Sequence, residues 1–212
     1  DSLDHMGPFA RSVRDLALAY DAMQGRDADV RLSPTTNAWL CGASITVGTT
    51  PGVAPGLVVK NGVSQGASHG LSPQGGVPQN NRIGDLDPYA LQLVCDREGI
   101  TLDRALEICA TEGGMLGLSG VSNDMRDIEE AAIAGDQRCT LAIEVFTSAI
   151  RDYLGAFVVE LGGLDVISFT GGIGEHSSIV RGQVLAGLEF LGVELDATRN
   201  ESVHGEGTLH TE

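Results

Sequence analysis

The stretch that decides the fold is VISFTGGIGEHSSIV, which runs from Val166 to Val180. Residues of strand-forming character lead into the glycine cluster TGGIG, and a helix is predicted to follow from about Ser177 to Leu191. Glycines at the end of a strand permit positive φ and let a ligand approach the backbone closely. Ligands of open α/β sheets bind beyond the carboxyl ends of strands. The stretch therefore predicts either a ligand-binding turn or a tight strand-to-helix turn without a ligand.

Composition limits the classes of partner. The 212 residues are 42% hydrophobic, carry a formal net charge of -16 and contain Lys60 as the only lysine. Nucleic acid is not expected, because its phosphates require clustered cations. A nucleotide is not excluded, since backbone N–H groups and one or two arginines can hold it. No apolar run reaches membrane-spanning length and no signal peptide opens the chain, so a cytoplasmic protein without a membrane partner is expected.

The order of the predicted elements indicates an α/β fold. Strands are predicted in GLVVKNG, with a turn at Asn61-Gly62, over Asp165 to Phe169 and in VELD, while the glycine-rich stretch from 63 to 88 is predicted to be a long loop. Helices are predicted over Pro8 to Gly25, Pro88 to Glu98, Leu102 to Thr111 with Thr101 as N-cap, after a cap at Ser122 or Asn123, and over Asp136 to Leu161.

The long predicted helix carries one apolar stripe. Its members step by three or four residues and are expected to face the core: Phe146, Ile150, Leu154, Phe157 and Leu161.

Two motifs and one longer segment resemble the C-terminal part of acetate kinases. The motifs are SNDMRDIE and FTGGIGEHS, and the segment is VVKNGVSQGASHGLSPQGGVPQNNRIGDLDP. The resemblance extends from about Leu57 to the end of the chain. It implies an actin-like, RNase H-like ATPase fold and phosphoryl transfer from ATP to acetate, giving ADP and acetyl phosphate. It also implies Mg²⁺, a short carboxylic acid or acyl phosphate as the second substrate, and a homodimer formed through this domain.

The same resemblance assigns candidate site residues. Arg82 would face the transferred phosphoryl group as the catalytic residue, because a planar guanidinium can hold two oxygens at once. The residues that would border the nucleotide are Asp124, Met125, Arg126, Gly172, Ile173, Gly174, Glu175 and His176, where His176 replaces the usual Asn of the family. Without a ligand, Arg82 would pair with Asp85 or Asp87, and Arg126 with Glu130 at i,i+4.

The sequence also departs from the family pattern. The family's N-terminal domain is not recognised, and no metal ligand is identified, so Mg²⁺ and ATP or ADP are expected from the resemblance alone. Residues 1–25, DSLDHMGPFARSVRDLALAYDAMQG, are instead similar to a stretch of amidase-signature hydrolases, without the nucleophile of that family. Asp4 and His5 there are interpreted as turn residues. We therefore expect two parts, an amidase-like helix and linker over 1–45 and an acetate-kinase-like C-terminal domain over 46–212.

A fusion, a frameshift or a fragment would each produce such a chain. Its expected function is that of an incomplete acetate-kinase lobe with little activity alone. The alternative is a non-catalytic domain that binds nucleotide or dimerises.

Overall fold

The computed structural model describes residues 43–48, 56–60, 63–70, 72–203 and 207–211. The helix expected over Pro8 to Gly25, the turn residues Asp4 and His5, the polar linker and the Asn61-Gly62 turn lie outside these residues. The described part forms a mixed sheet with helices packed on it, which confirms the α/β class. No helix within these ranges is both long and apolar enough to cross a membrane.

The sheet has the strand order β3-β2-β1-β4. Its strands are β1 (Ala43–Gly48), β2 (Gly56–Lys60), β3 (Val63–Ala67) and β4 (Val166–Thr170). β1 pairs antiparallel with β2, which pairs antiparallel with β3, whereas β4 joins β1 in parallel from Ser44↔Val166 to Gly48↔Thr170. A parallel pair needs a long crossover, and the helices between β3 and β4 supply it.

Two strands were missed by the sequence interpretation. Residues 63–67 were predicted to belong to a loop but form β3, and β1 was not predicted. β3 (VSQGA) has low strand propensity, and in β1 only Ile45, Thr46 and Val47 favour a strand. Pairing with β2 supplies their ladder hydrogen bonds, so partner strands override the local signal.

The helices between β3 and β4 largely follow the prediction. They are α1 (Pro88–Glu98), α2 (Leu102–Thr111), α3 (Gly114–Ser119), α4 (Met125–Ile133) and α5 (Gln137–Leu161). Thr101 caps α2 as expected, with its hydroxyl accepting from the N–H of Arg104 at 3.3 Å. The cap of α4 was predicted wrongly, because Asp124 accepts from the N–H of Arg126 at 3.0 Å and takes the role given to Ser122 or Asn123. The short helix α3 was not predicted.

The glycine cluster was predicted to be a loop, but it is helical. It forms α6 (Gly171–His176), and Ser177 then caps α7 (Ser178–Leu185) by accepting from the N–H of Val180 at 3.0 Å. The predicted helix therefore ends at Leu185 instead of Leu191, because Gly187 at φ 76° turns the chain before a 3-10 turn over Glu189–Leu191.

The final strand predicted in VELD is also wrong. Leu195 forms only an isolated bridge with His210, and Asp196 caps the last helix, α8 (Ala197–Ser202).

The long helix α5 forms the centre of the core. The exposed fractions of its predicted inward residues lie between 0% and 5%, for Phe146, Ile150, Leu154, Phe157 and Leu161. This face packs against α3, α4, α7 and the sheet, so the prediction of a buried stripe is confirmed.

A tight turn over residues 79–82 lies on the start of α3. The N–H of Gln79 donates to the carbonyl of Arg82 at 3.1 Å, and the N–H of Arg82 donates to the carbonyl of Gln79 at 2.6 Å. The carbonyl of Asn80 between them accepts from the N–H of Leu116 at 2.7 Å. The helix thus fixes the turn through main-chain contacts.

Gly114 makes this contact possible. It has φ of 55°, and a Cβ at this position would lie 2.3 Å from the carbonyl oxygen of Gln79 and 2.4 Å from that of Arg82. Both neighbours are backbone atoms, which cannot move aside as a flexible side chain would. Only glycine fits here without displacing the turn that carries Arg82.

We predict that Gly114→Ala lowers the free energy of unfolding by about 3 kcal/mol, because overpacking and a left-handed alanine are both costly. Urea unfolding followed by circular dichroism measures the change. The matched control is Gly155→Ala on the exposed side of α5, where an added Cβ meets no atom within 4 Å. That control should be neutral or stabilising by roughly 0.5–1 kcal/mol. Equal effects at the two positions would contradict the proposed packing of the turn.

Candidate functional site

The first candidate segment is the N-terminus of α4. The carboxylate of Asp124 accepts from the guanidinium of Arg126, at 3.1 Å from Nε and 2.6 Å from Nη2. This hydrogen-bonded pair holds the pKa of Asp124 at about 2. The side chain of Arg126 is 85% exposed, so a ligand can reach it without unfolding the helix. Arg126 pairs with Asp124 instead of Glu130, the partner expected in the absence of a ligand.

Met125 contributes differently from its neighbours. Its side chain is only 4% exposed and belongs to the core cluster. A ligand at this surface can therefore meet the main chain of Met125 but not its thioether.

The second candidate segment is α6, which begins where β4 ends. Gly172 and His176 are exposed, and a Cβ added at Gly172 would meet no atom within 4 Å. The N–H of Gly171 donates to the carboxylate of Glu175 at 3.2 Å. A negative charge therefore already occupies the start of this short helix. The bare surface at Gly172 and the Glu175 carboxylate suit a neutral, hydroxyl-bearing group better than a phosphate.

A hydrogen bond fastens the two segments together. The hydroxyl of Ser177, directly after α6, donates to the carboxylate of Glu129 on α4, although the two residues are 48 positions apart. Burial raises the pKa of Glu129, while the hydrogen bond from Ser177 and the charge of Arg181 act in the opposite direction. The structure thus brings together the two segments assigned to the nucleotide.

Arg181 on α7 binds the main chain at the end of α6. It is 3% exposed, and its Nη1 donates to the carbonyl oxygens of Gly174 at 2.9 Å and Glu175 at 2.8 Å. Its Nε and Nη2 donate to the side-chain and main-chain oxygens of Asn200 at 2.7 and 2.6 Å. A buried arginine whose donors are used in this way fixes backbone position.

The sequence interpretation did not single out Glu129, Ser177, Arg181 or Asn200. Glu129 and Ser177 close the two family-like motifs, which was the available signal. Arg181 and Asn200 carry no local signal, because their role depends on contacts 19 residues apart.

Arg82 lies on the tight turn over residues 79–82, which contacts α3. No ion pair or hydrogen bond links it to α4 or α6 among the described residues. Its expected partners are engaged elsewhere, because Asp85 accepts from the N–H of Gly76 at 2.7 Å and from the hydroxyl of Tyr153 at 2.5 Å. Asp87 accepts from the N–H of Tyr89 at 3.0 Å as the cap of α1. Within the described chain, Nη1 of Arg82 is buried and has no hydrogen-bond partner.

A cavity lies between the loop that carries Arg82 and α5. It has a volume of about 480 Å³, and Gly76, Pro78, Asp85, Ala149 and Tyr153 are among its lining residues. None of the candidate site residues lines this cavity, so it does not help to locate a ligand.

The described residues do not form a metal centre. No group of three or more His, Cys, Asp or Glu side chains among them is arranged to hold an ion. The expected Mg²⁺ therefore has no identified protein ligand among these residues.

Comparison with known proteins gives the family. Residues 45–212 match the model of the acetokinase family. The chain is 46% identical over 148 residues to acetate kinase of Staphylococcus epidermidis, covering 70% of this chain and 36% of that protein. It is 43% identical over 143 residues to propionate kinase of Citrobacter rodentium, covering 68% of this chain and 36% of the relative. The chain thus spans about a third of the length of the curated relatives that it matches.

Solved structures agree with this assignment. Acetate kinase of Porphyromonas gingivalis superposes with a TM-score of 0.74 at 32% identity, covering 93% of this chain and 46% of that one. Acetate kinase of Entamoeba histolytica gives a TM-score of 0.67 at 30% identity, covering 76% of this chain and 42% of that one. None of these comparisons supports the amidase-like interpretation of residues 1–25. The actin-like fold expected from the sequence is confirmed, and the chain belongs to the acetokinase family.

Proposed function

We propose that this chain is an acetate-kinase-type C-terminal lobe that binds the adenosine part of ATP or ADP between α4 and α6. The observation that carries the proposal is the Ser177–Glu129 hydrogen bond, which holds the two family motifs side by side. In this site Gly172, Ile173, Gly174, Glu175 and His176 form the α6 side. Asp124, the main chain of Met125, and Arg126 form the α4 side.

The two sides have different roles in the proposed site. On the α6 side, the absence of a side chain at Gly172 leaves room for a flat base or a ribose, and Glu175 can accept from ribose hydroxyls. On the α4 side, the exposed guanidinium of Arg126 can exchange Asp124 for a phosphate oxygen. The nucleotide is thereby oriented with its phosphates towards α4.

Arg82 is proposed to act on the transferred phosphoryl group. Its guanidinium makes no ion pair with Asp85 or Asp87, which bind other partners. Phosphoryl transfer spreads negative charge over equatorial oxygens, and a fixed guanidinium stabilises that charge. The substrates of the proposal are acetate or a similar short carboxylic acid and its acyl phosphate. Mg²⁺ would accompany the nucleotide and neutralise charge on its phosphates.

Activity of the 212-residue chain alone is proposed to be at or near background. Catalysis of phosphoryl transfer depends on several groups acting together, and loss of one stabilising donor already lowers the rate on the order of a hundredfold. We propose that the kinase-like unit begins at β1 (Ala43–Gly48), slightly before the expected boundary at residue 46, because β1 pairs with β2 and β4. The alternative is a non-catalytic domain that binds nucleotide or dimerises.

We predict weak but measurable ADP binding by calorimetry. Gly172→Val should weaken it at least about tenfold, because a branched side chain fills the proposed ligand space, while the free protein keeps its stability. Arg126→Ala should also weaken it, because a charge-assisted contact to phosphate is lost. A hydroxamate assay should detect acetyl phosphate only near background.

Matched controls are Gly155→Val on α5 and Arg97→Ala on α1, both at exposed positions away from α4 and α6. ADP binding that is unaffected by Gly172→Val and Arg126→Ala would contradict the site. Turnover close to that of ordinary kinases would contradict the proposal of low activity.

The buried carboxyl of Glu129 predicts a pH effect on stability. Its pKa is raised above its ordinary value of 4.5, so the fold favours the protonated form. This contribution is complete below the unfolded pKa and is lost as the pH rises through the folded pKa. The free energy of unfolding, relative to that of Glu129→Gln, should therefore fall as the pH rises above about 4.5.

Urea unfolding between pH 4 and 8 measures this difference. Glu130→Gln, at an exposed position on the same helix, is the control and should show no such trend. A wild-type advantage over Glu129→Gln that grows with pH would show that the pKa is depressed, contrary to the proposed burial.

A second copy of the chain is the proposed partner of α1 and α2. Among the residues of these helices only Ala105 is buried, and large apolar side chains are exposed. Tyr89 is 84% exposed, Leu93 68%, Leu102 54% and Leu106 47%. Exposed apolar side chains on two neighbouring helices favour an interaction site. The family resemblance favours a homodimer.

Analytical ultracentrifugation should give a dimer of the 22.1 kDa chain. Leu93→Glu should shift it to monomer, because a charge cannot be buried at an apolar interface without a partner. Val159→Glu, at an 81% exposed position on α5, should remain dimeric. A monomeric wild type, or a dimeric Leu93→Glu variant, would contradict this interface.

A further inference from the structure

Unpartnered buried polar atoms cluster in the segment that carries Arg82. Within the described residues, four buried side-chain atoms make no hydrogen bond, and all lie between residues 69 and 82. They are Nε2 of His69, Oε1 of Gln74, Nε2 of Gln79 and Nη1 of Arg82. A buried donor without a partner costs about 1–3 kcal/mol, so native proteins seldom retain one without a use. Four in one short segment indicate a ligand-binding function.

The backbone places Gln79 and Arg82 on one face. They form a hydrogen-bonded antiparallel pair, with both N–H groups donating across the turn. Residues directly opposite in such a pair project their side chains to the same side. The amide of Gln79, which is 4% exposed, therefore lies beside the guanidinium of Arg82.

His69 belongs to the same group. A Cβ at Gly76 would lie 2.4 Å from the carbonyl oxygen of Ser68, and the N–H of Asp85 donates to the carbonyl of Gly76 at 2.8 Å, so the main chain brings residue 69 to the loop that carries Arg82. Burial, and then the charge of Arg82, lower the pKa of His69. A neutral imidazole can donate from Nε2 in one of its tautomers. The unpartnered atom of Gln74 is an amide oxygen, which cannot donate to an anion, so Gln74 does not belong to this donor group.

The chemistry of the three atoms selects one class of ligand. Nε2 of Gln79 and Nη1 of Arg82 can only donate, and Arg82 adds a full positive charge. The nearby carboxylates form no ion pair with it, since Asp85 binds Gly76 and Tyr153, and Asp87 caps α1. Convergent donors around a cation, in a partly desolvated position, suit a small oxyanion.

We infer that His69, Gln79 and Arg82 form an oxyanion subsite, in which Gln79 and His69 act as further donors beside Arg82. The inference rests on the proposed function for its place in the reaction, because Arg82 is proposed to face the transferred phosphoryl group. Gln79 binds an oxygen of that group or of the carboxylate substrate. The close contact between the turn and Gly114 fixes the main chain of Gln79 before the anion arrives.

Calorimetry and thermal unfolding with inorganic phosphate test this subsite, and acetate in a parallel titration distinguishes a phosphoryl group from a carboxylate. Gln79→Met should weaken binding of the preferred anion at least about tenfold, because one hydrogen bond to a charged group is lost. Without the anion its melting temperature should be unchanged or higher, because an unpartnered buried amide has been removed. His69→Phe should weaken anion binding as well.

Gln92→Met is the matched control, because Gln92 is exposed on α1 and bonds only to Asp96 among the described contacts. The inference is overturned if neither anion binds the wild type, or if Gln79→Met binds its anion as tightly as the wild type does. A titration of each variant with ADP separates the two proposals. If ADP still binds and anion binding does not depend on Gln79, only the subsite is overturned. If anion binding depends on Gln79 but ADP does not bind, only the nucleotide site is overturned.

Discussion

The buried guanidinium of Arg181 is the constraint on which the proposed nucleotide surface depends. It donates to the carbonyl oxygens of Gly174 and Glu175, and so it holds the end of α6 while Ser177 bonds to Glu129. Six residues with three glycines have little helical stability of their own, since each glycine costs about 1 kcal/mol relative to alanine. The turn can therefore remain bare for a ligand because a residue outside it supplies the rigidity.

Contacts from outside the segment also hold the Arg82 turn in place. Main-chain donors from α3 hold it, and Gly114 permits the close approach. Asp85 fastens the same loop to Tyr153 on α5, and this contact, after burial, raises the pKa of the phenol to about 12. In both places hydrogen bonds from neighbouring elements hold the main chain, which leaves the guanidinium of Arg82 or the bare backbone of α6 available to a ligand.

The sequence alone was sufficient to predict the structural elements whose signal is local. The apolar stripe of α5 and the Thr101 cap follow from spacing and residue type, and both were predicted correctly. Elements that depend on distant partners were missed. β3 forms because β2 lies beside it, and the helix at Gly171 forms despite its glycines because Arg181 binds its carbonyls. For the site, the motifs indicated Arg126 and Gly172. Only the structure showed that Asp85 binds the N–H of Gly76 and that, among the described residues, Nε2 of Gln79 has no partner.

The central claim is that α4 and α6 form one nucleotide surface. The most direct test is an amide NMR titration of the isotope-labelled chain with ADP. The amides of Arg126 and Gly172 should shift together, with one dissociation constant, while that of the exposed control Gly155 should not move. Shifts confined to one of the two segments, or two distinct dissociation constants, would contradict the claim.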